Sequence, residues 1–161
     1  MIRHYEGNIL LHASLQKVFD YVDDHSKFSS HMNQSSWMMG GGSMNTSIDD
    51  GHGQRVGSHI RMNGKILGIN LFLDEVVTIH EPPRAKRWET VGDVKLLVCG
   101  PYRMNINVEP QDNCTLLRVS IDYALPNRNV WLGKLFGGMY AKWCVQLMIK
   151  GARDYFLKHN K

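Results

Sequence analysis

Residues 132–156 read LGKLFGGMYAKWCVQLMIKGARDYF, and their periodicity decides the fold class. Leu132, Leu135, Phe136, Met139, Tyr140, Trp143, Cys144, Leu147, Met148, Ala152, Tyr155 and Phe156 recur at three-and-four spacing, the mark of one apolar helix face. Lys134, Lys142, Lys150, Arg153 and Lys158 lie largely off that stripe. A helix of about 25 residues is about 38 Å long at 1.5 Å per residue, enough to lie across a whole sheet. Gly133, Gly137 and Gly138 each cost roughly 1 kcal/mol relative to Ala inside a helix. They either permit close packing against a neighbouring element or soften one end of the helix as a gate, and close packing is the preferred reading.

Upstream of this helix the chain alternates with period two, as half-buried strands do. Leu117, Val119, Ile121, Tyr123 and Leu125 share one face, against Arg118, Ser120 and Asp122. Before a turn at 110–113, a long strand over 94–108 puts Val94, Leu96, Val98, Tyr102, Met104, Ile106 and Val108 inward. Its register sends Cys99 to the polar face. A strand over 86–91 precedes it; a two-residue turn at 92–93 would point Trp88 outward and a three-residue turn at 91–93 inward. The inward reading is preferred because an exposed mid-strand tryptophan is the poorer outcome. The run ending at Ile79 stops at Glu81-Pro82-Pro83-Arg84, because two prolines cannot extend a ladder. Asn63-Gly64 signals a two-residue hairpin turn pairing Met62 with Lys65, Ile60 with Leu67 and Ser58 with Ile69.

The chain opens with a strand over residues 4–12, carrying Tyr5, Gly7, Ile9 and Leu11 on one face. Ser14 can cap a helix containing Leu15, Val18, Phe19 and Val22, and a second short helix follows at about 27–32. Residues 34–57 are glycine-rich and read as a mobile loop holding a short strand at 44–48. The order is strand, two short helices, about six strands and one long helix. That order predicts an α+β fold in a single domain over residues 1–161.

The sequence resembles the START-like superfamily, the helix-grip group that includes polyketide cyclases/dehydrases and lipid-transport proteins. The likeness rests on Ile9-x-Leu11-x-Ala13-Ser14 before Lys17-Val18-Phe19-Asp20-Tyr21-Val22-Asp23-Asp24. It continues in Asp74-Glu75-Val76-Val77-Thr78 with Glu81-Pro82-Pro83-Arg84, and in Ile121-Asp122-Tyr123 before the last helix. The resemblance covers about residues 4–157 and implies a curved antiparallel sheet of six to seven strands around the C-terminal helix. It also implies a deep cavity between the two. The candidate lining is Ile60, Leu71, Trp88, Leu96, Tyr102, Met104, Tyr123, Met139, Tyr140, Trp143 and Leu147. The tyrosines are the polar groups available to orient a ligand.

Composition narrows the function. The 161 residues are 43% hydrophobic and 21% charged, too apolar for disorder, and no apolar run approaches the ~20 residues of a bilayer span. A net charge of +4 without basic runs argues against nucleic acid. Met1–Glu6 lacks the apolar core of a secretory signal, and Cys99, Cys114 and Cys144 form no CxxC, so reduced thiols in a cytoplasm are expected. The eight histidines show no HxH or HExxH spacing, so no metal or other cofactor is expected. Gly40-Gly41-Gly42-Ser43 lacks the lysine of a phosphate loop, and Asp49-Asp50-Gly51 lacks the ligand spacing of a calcium loop. Ser29-Ser30-His31 has nucleophile and base types but no triad logic. The leading expectation is binding or transport of a hydrophobic, lipid-like or polyketide-like molecule. A cyclase or dehydratase in which a tyrosine or histidine moves a proton is the alternative. A third reading is a protein-interaction module using the 40–57 loop and Trp37-Met38-Met39.

Overall fold

The computed structural model describes residues 1–28 and 43–159. Strand β1 (Arg3–Leu11) leads into α1 (Leu15–Asp23) and α2 (His25–Phe28). Then come β2 (Ser43–Ile48), β3 (His59–Ile66), β4 (Ile69–Glu81), β5 (Ala85–Lys95), β6 (Tyr102–Gln111), β7 (Cys114–Tyr123) and α3 (Val130–His159). The strands form an open antiparallel sheet in the order β1-β7-β6-β5-β4-β3-β2. This is the α+β helix-grip arrangement. Ser14 caps α1 as expected, its hydroxyl accepting from the Lys17 amide at 3.3 Å. Val18, Phe19 and Val22 of α1 are buried with Ile106, Leu117 and Val119 in the sheet's core. The second helix begins earlier than expected, at His25; residues 29–32 lie outside the described residues.

The hairpin expected at Asn63-Gly64 forms four residues later. Leu67 and Gly68 make the turn with φ of 50° and 79°, so Ile66 pairs with Ile69 and Met62 with Leu73. Both registers keep Ile60, Met62, Leu71 and Leu73 inward, so the alternation alone did not choose between them. The later turn buries Ile66 and pairs the whole of β3, at the cost of exposing Leu67 and Ile69. A left-handed leucine costs about 1–2 kcal/mol, less than the pairing and burial it permits.

The strand expected over 94–108 is interrupted. Strand β5 runs through a bulge at Gly92 (φ 66°), residues 96–101 leave the sheet, and β6 starts at Tyr102. Pro101 has no amide to donate, and Gly100 lies so close to β7's end that a Cβ would sit 2.5 Å from the Leu125 carbonyl oxygen. Cys99, expected on the polar face, therefore turns inward and is buried. Trp88 is also inward, opposite Val77 and Met104, because β5 continues past Gly92 rather than turning.

The face that α3 buries differs from the stripe of large residues. Gly133, Gly137, Ala141, Cys144, Val145, Met148, Ile149, Ala152 and Phe156 point inward, while Trp131, Leu135 and Met139 are exposed. The helix approaches the chain too closely for large side chains in its first half. A Cβ on Gly133 would lie 2.3 Å from Pro126 Cδ, and one on Gly137 would lie 2.9 Å from the Val98 carbonyl oxygen. The connection from β2 to β3 is likewise organised rather than irregular. Asp49 accepts from the Ser58 hydroxyl at 2.6 Å, the His59 amide at 2.8 Å and the Gly51 amide at 2.9 Å. These bonds, Ser58's first, hold its carboxyl down to about 2.

The packing of α3 sets opposite signs for two glycine substitutions. Gly133→Ala should lower stability by about 1–3 kcal/mol through overpacking against Pro126. Gly138→Ala meets only Tyr123 Oη, at an ordinary 3.6 Å, and should raise stability by up to about 1 kcal/mol through helix propensity. Urea unfolding of the two variants checks both signs.

Candidate functional site

Six elements enclose a small cavity between sheet and helix. Strand β3 contributes Met62, β4 Leu73 and Glu75, β5 Trp88, β6 Tyr102 and Met104, and β7 Ile121. Leu96 and Cys99 enter from the 96–101 segment, and Tyr140, Cys144 and Met148 from α3. Its volume is about 30 Å³, room for one or two water molecules. The deep cavity expected from the resemblance is thus closed down, with three methionines among its walls.

Glu75 is the charged residue in this wall, and it is 1% exposed. Its Oε1 accepts from Trp88 Nε1 at 3.1 Å and from the Tyr102 hydroxyl. Its Oε2 is buried without a hydrogen-bond partner among the described residues. The His25 ring stands edge-on to Trp88 at 5.4 Å, with its Nε2 3.9 Å from Oε2. Burial pushes the Glu75 carboxyl up to about 7; the bonds from Tyr102 and Trp88 and the charge of Lys86 oppose that rise without cancelling it. Near neutral pH this group is divided between acid and carboxylate.

The other titratable walls stay neutral. Burial raises the Tyr102 and Tyr140 phenols well above their usual value. It pushes the Cys99 and Cys144 thiols up to about 12, so neither is a thiolate nucleophile at neutral pH. Behind Trp88 lies a second buried cluster. The Lys86 ammonium donates to the Asp23 carbonyl at 3.0 Å and pairs with Asp23 Oδ1 at 3.0 Å. His80 Nε2 lies 3.0 Å from both Asp23 carboxylate oxygens. Lys86 Nζ is 5.8 Å from the Trp88 ring centre, so the cluster backs the indole. Burial lowers the Lys86 pKa, opposed by Asp23.

Of the residues expected at a ligand site, Trp88, Leu96, Tyr102, Met104 and Tyr140 line the cavity. Ile60 and Leu71 are buried in the core away from it. Tyr123 is buried under Gly137 of α3. Met139 is 45% exposed, and Trp143 and Leu147 sit half-buried on the helix flank, Trp143 tilted against Tyr140 at 5.6 Å. The rotation of α3 described above accounts for the last three. Sequence reasoning missed Glu75, although Leu71, Leu73, Glu75 and Val77 share one parity. That alternation was the available signal. Ser29-Ser30-His31, Trp37-Met38-Met39 and Gly40-Gly41-Gly42 lie outside the described residues. Among the described residues no group of three or more His, Cys, Asp or Glu side chains is placed to hold a metal ion. No described helix is long and apolar enough to cross a membrane.

The architecture defines the class: the chain has the helix-grip fold of the START-like superfamily. Norcoclaurine synthase of Thalictrum flavum, solved as a point mutant with a transition-state analogue, superimposes with a TM-score of 0.67. It shares 13% identity, over 100% of this chain and 98% of that one. Ara h 8.0201 matches at TM-score 0.65 and 11% identity, over 98% and 99% of the two chains. The di-domain ARO/CYC protein StfQ of steffimycin biosynthesis matches at TM-score 0.71 and 8% identity; 99% of this chain covers 52% of StfQ. At these identities the likeness is one of fold. No protein-family model and no curated protein sequence matches the chain.

The buried carboxyl makes stability depend on pH in a definite sense. A folded-state pKa near 7 against an ordinary 4.5 means the native state holds the proton more tightly over that interval. The stability contributed is complete below about 4.5 and is lost as pH rises toward 7, at up to about 1.4 kcal/mol per pH unit. Glu75→Gln cannot ionise. Urea unfolding at pH 5 and pH 8 should therefore show the wild type losing ground to Glu75→Gln at the higher pH. Parallel pH profiles would contradict the assignment.

Proposed function

We propose that the protein binds a compact, largely apolar small molecule, aromatic or polyketide-like, in the cavity between the sheet and α3. The observation that carries this reading is an apolar enclosure built around one buried carboxyl group. Burying an ionisable group costs several kcal/mol without full compensation; a purely structural core would place an apolar residue at position 75. Met62, Met104 and Met148 support the reading, since unbranched thioethers change rotamer cheaply and let about 30 Å³ enlarge. A long acyl chain is the poorer fit to so short an enclosure. The solved norcoclaurine synthase adds support by analogy, as a protein of this fold with a transition-state analogue bound. The three cysteines are free, which suits a reducing compartment such as the cytoplasm.

A second reading, a cyclase- or dehydratase-type enzyme, is favoured by one feature. Glu75 titrates near neutral pH beside the Tyr102 hydroxyl, which suits general acid–base chemistry.

Binding is tested with a naphthalene-based fluorescent probe. The native protein should enhance its emission, and compact aromatics should displace it more effectively than fatty acids. Met148→Trp, which fills the cavity, should weaken the probe's binding at least tenfold. Enhancement that appears only as urea unfolds the protein would refute a native pocket.

A further inference from the structure

We infer that the ligand presents a hydrogen-bond donor, an N–H or O–H, to Glu75 Oε2 and is otherwise apolar; this rests on the binding reading above. The two oxygens of Glu75 are not equivalent. Oε1 already accepts from Trp88 and Tyr102, whereas Oε2 has no hydrogen-bond partner among the described residues and only a longer ion-pair contact with His25. The neighbouring groups leave it that way. His25 Nε2 is 3.9 Å off, beyond hydrogen-bond reach. Lys86 is held by Asp23 at 3.0 Å, and Asp74 engages His59 and Arg61. On α3, the Tyr140 phenol lies next to the Cys144 thiol, and Cys99 donates to the Gly100 carbonyl.

Glu75 lines the cavity, so a donor that enters it and reaches Oε2 satisfies that oxygen, and bonds to an ionised acceptor are the stronger kind. A ligand of the same shape carrying only an ether or carbonyl oxygen sets lone pair against lone pair. The site should therefore sort ligands by hydrogen-bond sense, and a single substitution should reverse the sorting. In Glu75→Gln the donors Trp88 and Tyr102 keep the amide oxygen at the Oε1 position. The amide NH₂ then occupies the Oε2 position and donates where the carboxylate accepted.

Indole, benzofuran and indene share one shape and differ by N–H, O and CH₂ at one ring position. Each is titrated at pH 8 into the wild type and Glu75→Gln, with Kd read from backbone amide shifts. The wild type should bind indole at least tenfold more tightly than benzofuran, and Glu75→Gln should bring that ratio to one or below. The ¹³C-labelled Glu75 carboxyl of the wild type should shift with indole and not with indene, a readout that needs no variant. Equal wild-type affinities for all three would overturn the donor assignment while leaving the binding reading intact. No binding of any of the three would overturn both.

Discussion

The interior is governed by how closely α3 approaches the sheet, and glycines on both sides set that distance. A Cβ on Gly7 of β1 would lie 2.5 Å from Ile149 Cδ1, and one on Gly137 would lie 2.9 Å from the Val98 carbonyl oxygen. Between these two contacts α3 carries Tyr140, Cys144 and Met148, which reach the cavity wall. The cavity is the space left where a helix pinned at two points spans a sheet that does not follow it. Dense packing elsewhere leaves little slack, and the methionines are the wall residues whose unbranched side chains change rotamer at least cost.

Within that space the carboxyl of Glu75 is held by geometry from three consecutive strands. Trp88 of β5 and Tyr102 of β6 both donate to one oxygen, which fixes the rotamer and leaves the second oxygen distinct. The same two bonds favour the ionised form while burial opposes it, and the balance falls near neutrality. A carboxyl so placed is an adjustable acceptor in a site whose tyrosines and thiols stay protonated.

Trp88 has its own support. The Asp23, His80 and Lys86 cluster joins the end of α1 to the β4–β5 hairpin, directly behind the indole. Removing one partner from a buried ion cluster typically costs 3–5 kcal/mol, because the remaining charge is stranded. The cluster thus ties the position of Trp88, and through it Glu75, to the packing of α1.

The sequence by itself determined the class of fold and which strand faces are apolar. Period-two alternation marked the strands, three-and-four spacing marked the helix, Ser14 announced the cap, and the Pro82-Pro83 turn ended β4. Such signals are local, so they survive without knowledge of partners. Only the tertiary structure decided the register at Leu67-Gly68, since sliding a hairpin by four residues preserves side-chain parity. The break at 96–101 and the inward turn of Cys99 likewise depend on Gly100 fitting against Leu125. The buried face of α3 was illegible for a related reason. Hydropathy favours large residues such as Met139 and Trp143, whereas close approach to a carbonyl oxygen and a proline ring demands Gly133 and Gly137. Periodicity put Tyr102, Met104 and Tyr140 on apolar faces and burial preference turned Trp88 inward, but a cavity among them followed only from the family resemblance. Glu75 shared the inward parity of its own strand, but what its charge meets, two donors on one oxygen and none on the other, is set by the side chains that β5 and β6 bring against it.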